Sequence, residues 1–284
     1  MRHVVPAAII GLLSCVPQVC VQRAIATMKN DIEYASKDGQ SLKLDAFVPD
    51  ADGPFPIVVY VHGGGWGSGD KADFVPLAGP IEKTPFTWFS INYRVAPAHR
   101  WPACVDDVRD GIRWIRKHAA EFKGDPDRIA LIGHSAGGQL MLMAVMEGDD
   151  TTRVQALVGL APVTDMESDL PQRGGLSKAL QDLLDRPKEV DDETLKMIRQ
   201  IEPNRHVKAG LPPMLIVQGS ADKTVAHPMS VDFQTKLKAV GVPCDLITID
   251  NAPHRFTEWE KFDPKFTQKI ADWLKTTLSS SPKK

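Results

Sequence analysis

Short apolar runs alternate with amphipathic stretches along most of this chain. Ile57 to Val61, Phe86 to Tyr93, Ile129 to Ile132, Gln155 to Pro162, Pro213 to Gly219 and Cys244 to Ile249 are brief, mostly apolar and bounded by turn residues. Continuous runs of this kind are expected of strands buried on both faces. Between them, Val105, Val108, Ile112 and Ile115 fall at helical spacing within Val105 to His118, with Asp106, Asp107, Arg109 and Asp110 on the other face. Helices are also predicted over Gln139 to Glu147, Met229 to Val240 and Phe266 to Leu278. Nearer the start, Asn30 to Ala35 and Ser41 to Val48 alternate about Lys37-Asp38-Gly39, a hairpin signal. Gly124-Asp125-Pro126-Asp127 reads as a turn into the following strand. The strand–helix rhythm from residue 57 predicts an α/β fold: a mostly parallel central sheet with helices on both faces. Residues 165–205 interrupt that rhythm with Pro171, Gly174-Gly175, Pro187 and two short helical patterns, Ser177 to Leu184 and Asp191 to Ile201. An insertion of this size is expected over the C-terminal edge of the sheet as a small cap, where ligands bind.

The first 26 residues differ in character. Arg2 and His3 precede an apolar stretch from Val4 to Leu13, and Ala24-Ile25-Ala26 supplies a small-x-small cleavage pattern, so residues 1–26 read as a secretory signal peptide. Two other readings stand beside it. Leu12-Leu13-Ser14-Cys15 approximates a lipobox, with Cys15 to be lipidated, and Met28 is an alternative start, which would leave the protein cytoplasmic rather than secreted or periplasmic. In the body of the chain, residues 27–284, only Cys104 and Cys244 remain, either paired or free and buried. The formal net charge is -2, with 34 Lys and Arg against 36 Asp and Glu, which excludes nucleic acid or an anionic membrane surface as the main partner. No apolar stretch is long and clean enough for a membrane-spanning helix, and no Cys/His spacing matches a zinc site.

The chemistry gathers at the ends of the predicted strands. Gly133-His134-Ser135-Ala136-Gly137 sits between an apolar strand and a helical pattern, a turn so sharp that glycines must flank the serine. A serine hydroxyl needs a base, and histidine suits neutral pH. Of the eight histidines, His3 lies in the leader, His62 opens a glycine-rich loop, and His99, His118 and His206 lie in or beside surface-like segments. His134 adjoins the serine but should point away from it, with no part in catalysis. His227 starts a helix, whereas His254 follows the last strand in a loop fixed by Pro253, the better position for a base. Asp222, after the preceding strand, completes the order Ser, Asp, His, with Asp250 as its rival. His62-Gly63-Gly64-Gly65-Trp66-Gly67-Ser68-Gly69 lacks the Gly-Lys-Ser/Thr ending of a phosphate loop, and its loose dinucleotide fingerprint sits away from the strand end. Its natural use beside a serine nucleophile is an oxyanion hole of backbone N–H groups. The acids of Val105 to His118 read as structural.

Taken together, His62-Gly63-Gly64-Gly65-Trp66, Tyr93-Arg94-Val95-Ala96-Pro97, Gly133 to Gly138, Asp222-Lys223-Thr224-Val225 and Ala252-Pro253-His254-Arg255-Phe256 resemble the α/β-hydrolase fold of the esterase/lipase type. The likeness is to hormone-sensitive-lipase-like enzymes and the BD-FAE group of bacterial esterases, over roughly residues 30–280. It implies a serine carboxylesterase with Ser135, Asp222 and His254 as the triad, an oxyanion hole from the N–H groups of Gly64, Gly65 and Ala136, and neither metal nor organic cofactor. The long N-terminal cap of many hormone-sensitive-lipase-like enzymes has no room here, which favours the BD-FAE side and an open site. Trp66 is expected to shape the substrate site. Three rivals share the pattern: an amidase or peptidase, an arylformamidase of the kynurenine formamidase type, and a binding module that has lost catalysis. Export combined with this family points by analogy to small or polysaccharide-linked esters, acetyl or feruloyl.

Overall fold

Asp38 and Gly39 both have positive φ, 52° and 76°, the backbone that a two-residue hairpin turn requires. They join β1 (Ala26–Lys37) to β2 (Gln40–Pro49), and β2 pairs antiparallel with β4 (Thr87–Ile91). The computed structural model describes residues 26–74, 77 and 84–279. The predicted leader up to residue 25, with Cys15 and Cys20, and the tail after Ser279 lie outside the described residues.

From β4 onward every pairing is parallel. β3 (Phe55–Val61), β5 (Gly124–His134), β6 (Ala156–Leu160), β7 (Met214–Gly219) and β8 (Cys244–Ile249) complete one sheet of order β1-β2-β4-β3-β5-β6-β7-β8. The unbroken apolar runs follow from burial on both faces. Ile57, Val59 and Val61 of β3 point into one core layer, while Val58 and Tyr60 point into the other. The first layer is covered by α1 (Ala103–His118), α2 (Ala136–Met146) and α6 (His227–Ala239); the second by α7 (Phe266–Ser279), whose Ile270 and Leu274 are fully buried. Between β6 and β7, Ser177 and Asp191 cap the helices α4 (Lys178–Leu184) and α5 (Asp192–Ile201), after a single turn, α3 (Leu170–Arg173).

Two expectations are corrected. Gly124 to Asp127 is not a free turn but the start of β5. Phe55 pairs with Gly124 and Ile57 with Ile129, so the turn-forming residues are absorbed as a bulge. Their turn chemistry persists, with Asp127 N–H donating to Asp125. Asp107 is not on the solvent face of α1. It is wholly buried, and its carboxylate accepts from Arg94 Nε and Nη2, each at 2.8 Å, and from Arg94 N at 2.9 Å. Arg94 also reaches Asp38 in the β1–β2 turn. The pair therefore ties the end of β4 to α1 and to the hairpin. Cys104 and Cys244 are both buried and free, and burial pushes each thiol up to about 12.

Removing one member of a buried ion pair leaves the other uncompensated. Asp107→Ala is expected to lower unfolding stability by about 3–5 kcal/mol in urea denaturation, with Asp107→Asn losing less because it keeps part of the hydrogen bonding.

Candidate active site

β5 runs out at His134, and α2 begins at Ala136, so one residue makes the whole reversal. Ser135 takes φ 54° and ψ −119°, a strained backbone for a side chain, held by Ser135 N–H donating to the Leu160 carbonyl at 2.9 Å. The flanking glycines are steric necessities. A Cβ on Gly133 would stand 2.5 Å from the Gly137 carbonyl oxygen, and one on Gly137 would stand 2.2 Å from that of His62.

Three strand ends bring their side chains together. His254 Nε2 lies 2.9 Å from Ser135 Oγ, and His254 Nδ1 lies 2.7 Å from Asp222 Oδ2. Asp222 is buried, and burial alone would raise its pKa. Hydrogen bonds from His254 and from the N–H groups of Val225 and Thr224 outweigh this and hold the carboxyl below its ordinary value. Gln218 Nε2 also donates to Asp222 at 2.8 Å. An ionised carboxylate can only accept, so the imidazole proton sits on Nδ1 and Nε2 is left as the base. The rival Asp250 is exposed, and Asp245, within β8, accepts from the Trp273 indole. His227 is engaged with Thr248.

The glycine loop follows β3 and closes on itself. The Gly64 carbonyl accepts from Gly67 N, Ser68 N and Ser68 Oγ, at 3.2, 3.1 and 3.0 Å. This fold needs the φ of 114° at Gly64 and 59° at Gly65. Among the described residues, the N–H groups of Gly64, Gly65 and Ala136 make no backbone hydrogen bond outside regular elements, and Ser135 does not cap α2 with its side chain. N–H groups left free in this way, that of Ala136 at the start of α2 among them, suit a developing negative charge. His62 braces the loop: its Nδ1 is 2.8 Å from the Gly63 carbonyl, and its ring stacks on Tyr93 at 4.2 Å.

Gly65, Trp66, Ser135 and Ala136 open onto a cavity of about 210 Å3, walled by Val163, Met166, Leu170, Leu180, Val225 and Met229. Trp66 lines the cavity, and its ring is almost fully buried. A larger open groove of about 910 Å3, bordered by Arg116, Asp149 and Lys208, contains none of these site residues. Among the described residues no cluster of three or more His, Cys, Asp or Glu could hold a metal ion, and no helix is long and apolar enough to cross a membrane.

The sequence pattern of the BD-FAE family matches residues 44–237. The chain belongs to the BD-FAE family. Its sheet and helices have the α/β-hydrolase fold of the solved esterases it resembles. The Est2 esterase of Thermogutta terrifontis is 30% identical, with a TM-score of 0.70 covering 89% of this chain and 92% of that one. Est2 has also been captured with butyrate bound and phosphonylated by sarin. A truncated carbohydrate esterase from gut microbiota shares the fold at a TM-score of 0.79 and 22% identity, over 91% of this chain and 99% of that one. Esterase LipC of Mycobacterium tuberculosis is 32% identical over 201 residues, 66% of this chain and 49% of LipC. The chain spans about half the length of the curated relatives LipC, LipM and LipQ of Mycobacterium tuberculosis.

The contacts of two side chains of this BD-FAE site were not legible in the sequence. His134 Nε2 lies 3.2 Å from the His254 carbonyl oxygen, and its ring rests 5.1 Å from the His254 ring and 4.9 Å from Phe256. Gln139, discussed below, is wholly buried beside Trp66.

Burial, with the nearby His254, pushes His134 down to about 4 from 6.5. Its folded-state value is depressed, so the folded protein resists protonating it. Stability is full above 6.5 and is lost as pH falls towards about 4. Urea denaturation should show a loss on the order of 2 kcal/mol across that window, discounted for the partly exposed ring. His134→Gln should remove its share of this loss, leaving that of His62, which burial also pushes below its ordinary value, and the further loss from Asp222 at lower pH.

Proposed function

We propose that the protein is a serine carboxylesterase acting on esters of short acyl chains or aryl acids, with Ser135, Asp222 and His254 as its triad. The observation that carries this reading is the unbroken series from Asp222 through His254 to Ser135 Oγ, ending beside N–H groups left free by their own backbone. In the first step Ser135 Oγ attacks the ester carbonyl carbon while His254 Nε2 takes the hydroxyl proton. The carbonyl oxygen becomes an oxyanion against the N–H groups of Gly64, Gly65 and Ala136. The tetrahedral intermediate collapses, and the alcohol leaves with the proton from His254. Water, deprotonated by the same nitrogen, then attacks the acyl-serine and releases the acid. Asp222 stays ionised throughout and stabilises the imidazolium.

The small apolar cavity supports the preference for short or flat acyl groups, since 210 Å3 is below the roughly 300 Å3 at which drug-sized ligand sites begin. Trp66 forms part of its wall. The esterase names of the relatives support ester over amide cleavage, and the leader pattern in residues 1–26 supports export. Polysaccharide-linked esters fit the same reading, because the rim residues Asp165, Asp169 and Arg173 offer polar groups around an apolar pocket.

Kinetics on p-nitrophenyl esters, beside peptide and arylformamide substrates, test the proposal. Wild-type protein is expected to cleave acetate and butyrate esters, to favour them over long-chain esters, and to be labelled by a fluorophosphonate. Ser135→Ala should abolish both activities. Asp222→Asn should cost on the order of 10⁴ in kcat, whereas Asp250→Asn should leave it within about twofold, as for a distant surface change. Efficient amide cleavage with no ester cleavage, or an unlabelled folded protein, counts against the reading.

A further inference from the structure

The amide of Gln139 is wholly buried in the first turn of α2, the helix whose start faces Ser135. Its Oε1 accepts the Trp66 indole N–H at 2.9 Å, and its Nε2 donates to the Ile201 carbonyl, at the end of α5, at 2.7 Å. An indole nitrogen can only donate and a carbonyl can only accept, so the amide has one orientation and a flip would break both bonds. Trp66 directly follows Gly64 and Gly65, and it too has a left-handed backbone, φ 59°. A bulky residue keeps that conformation only where its surroundings impose it. Two contacts do so here: Gln139 on the indole, and Ala96 N–H on the Trp66 carbonyl at 2.9 Å.

The other end of the bridge is also anchored. Glu202, next to Ile201, is buried, and its Oε2 accepts from the N–H groups of Met166 and Glu167 at 3.0 and 3.1 Å. Met166 lines the cavity beside Ser135. The end of α5 therefore braces the glycine loop through Gln139 and the cavity wall through Glu202.

We propose that Gln139 is a positioning residue: by clamping the Trp66 indole between α2 and the end of α5, it holds the Gly64 and Gly65 N–H groups at the distance from Ser135 that a developing oxyanion requires. The inference rests on the ester-hydrolase reading above. Gln139 touches no substrate atom. It acts through Trp66, and its loss should weaken the transition state more than the ground state.

Three variants test it: Gln139→Met, which keeps the length of the side chain without its hydrogen bonds; Trp66→Phe, which removes the same bond from the other side; and the double variant. Each is measured for kcat and KM on p-nitrophenyl butyrate, inhibition by an aryl trifluoromethyl ketone, which forms a tetrahedral adduct, and melting temperature. Gln139→Met is expected to lower kcat about 10- to 100-fold, less than outright loss of an oxyanion donor, with KM within about threefold. Ketone affinity should fall by a similar factor. Trp66→Phe should do the same, and the double variant should be no more than about threefold worse than Gln139→Met, because both changes break the same indole–amide bond and Gln139→Met already loses the bond to Ile201 besides. A fall in melting temperature with kcat within about twofold of wild type would overturn the inference, as would effects that multiply in the double variant. Should Gln139→Met not fold, Trp66→Phe alone decides on the same readings. A wild-type protein inert to every ester overturns the esterase reading and this inference with it; an active wild type with unmoved variants overturns only this inference.

Discussion

The first turn of α2 runs so close beneath the end of β3 that a Cβ on Gly137 would stand 2.2 Å from the His62 carbonyl oxygen and 2.3 Å from that of Val61. The same crowding recurs at Gly138, where a Cβ would meet Pro162 Cβ at 2.8 Å. This approach sets the start of α2 directly against the end of β3 and the glycine loop that follows it. Its cost is local, a serine held at positive φ, of the order of 1–3 kcal/mol for a side chain in such a region. The flanking strands β3 and β6 are buried on both faces and hold that strain in place.

Polar groups around the point are satisfied by others that are themselves fixed. Gln218 donates to Asp222 and to the Val225 carbonyl while its own carbonyl accepts from Ser230 of α6, so the carboxylate loop is tied to the helix behind it. The Tyr93 hydroxyl donates to the His62 carbonyl, and Arg94, next in sequence, is clamped by Asp107. Beyond the glycine loop, Lys71 Nζ pairs with the buried Asp45, and Lys71 N donates to Asn92. Side chains held this way have their orientation set during folding, which is what the proposed ester hydrolysis requires of them.

Much of this was legible in the sequence, for reasons that differ by element. The strands showed as apolar runs because both their faces are buried, and the Asp38-Gly39 hairpin showed because its positive φ demands those residue types. Ser135, Asp222 and His254 could be placed together because parallel sheets gather loops at one edge. What stayed hidden depends on partners distant in sequence. Asp107 has the charge of a surface residue and is buried because Arg94 arrives from the loop after β4. The bulge in β5 depends on pairing with Phe55, not on the turn signal at Gly124 to Asp127. Gln139 and His134 occupy positions where a helix or strand periodicity says nothing about hydrogen bonding, and their partners lie 62 or more residues away.

The covalent route through Ser135 is tested most directly by mass spectrometry of the protein mixed with a p-nitrophenyl ester and quenched in acid within the first turnovers. The expected result is an added acyl mass on the peptide containing Ser135, gained at the rate of p-nitrophenol release and lost when water is allowed to complete the reaction. Release of p-nitrophenol through repeated turnovers with no acyl mass on that peptide at any quench time, or with the mass on another residue, would contradict it.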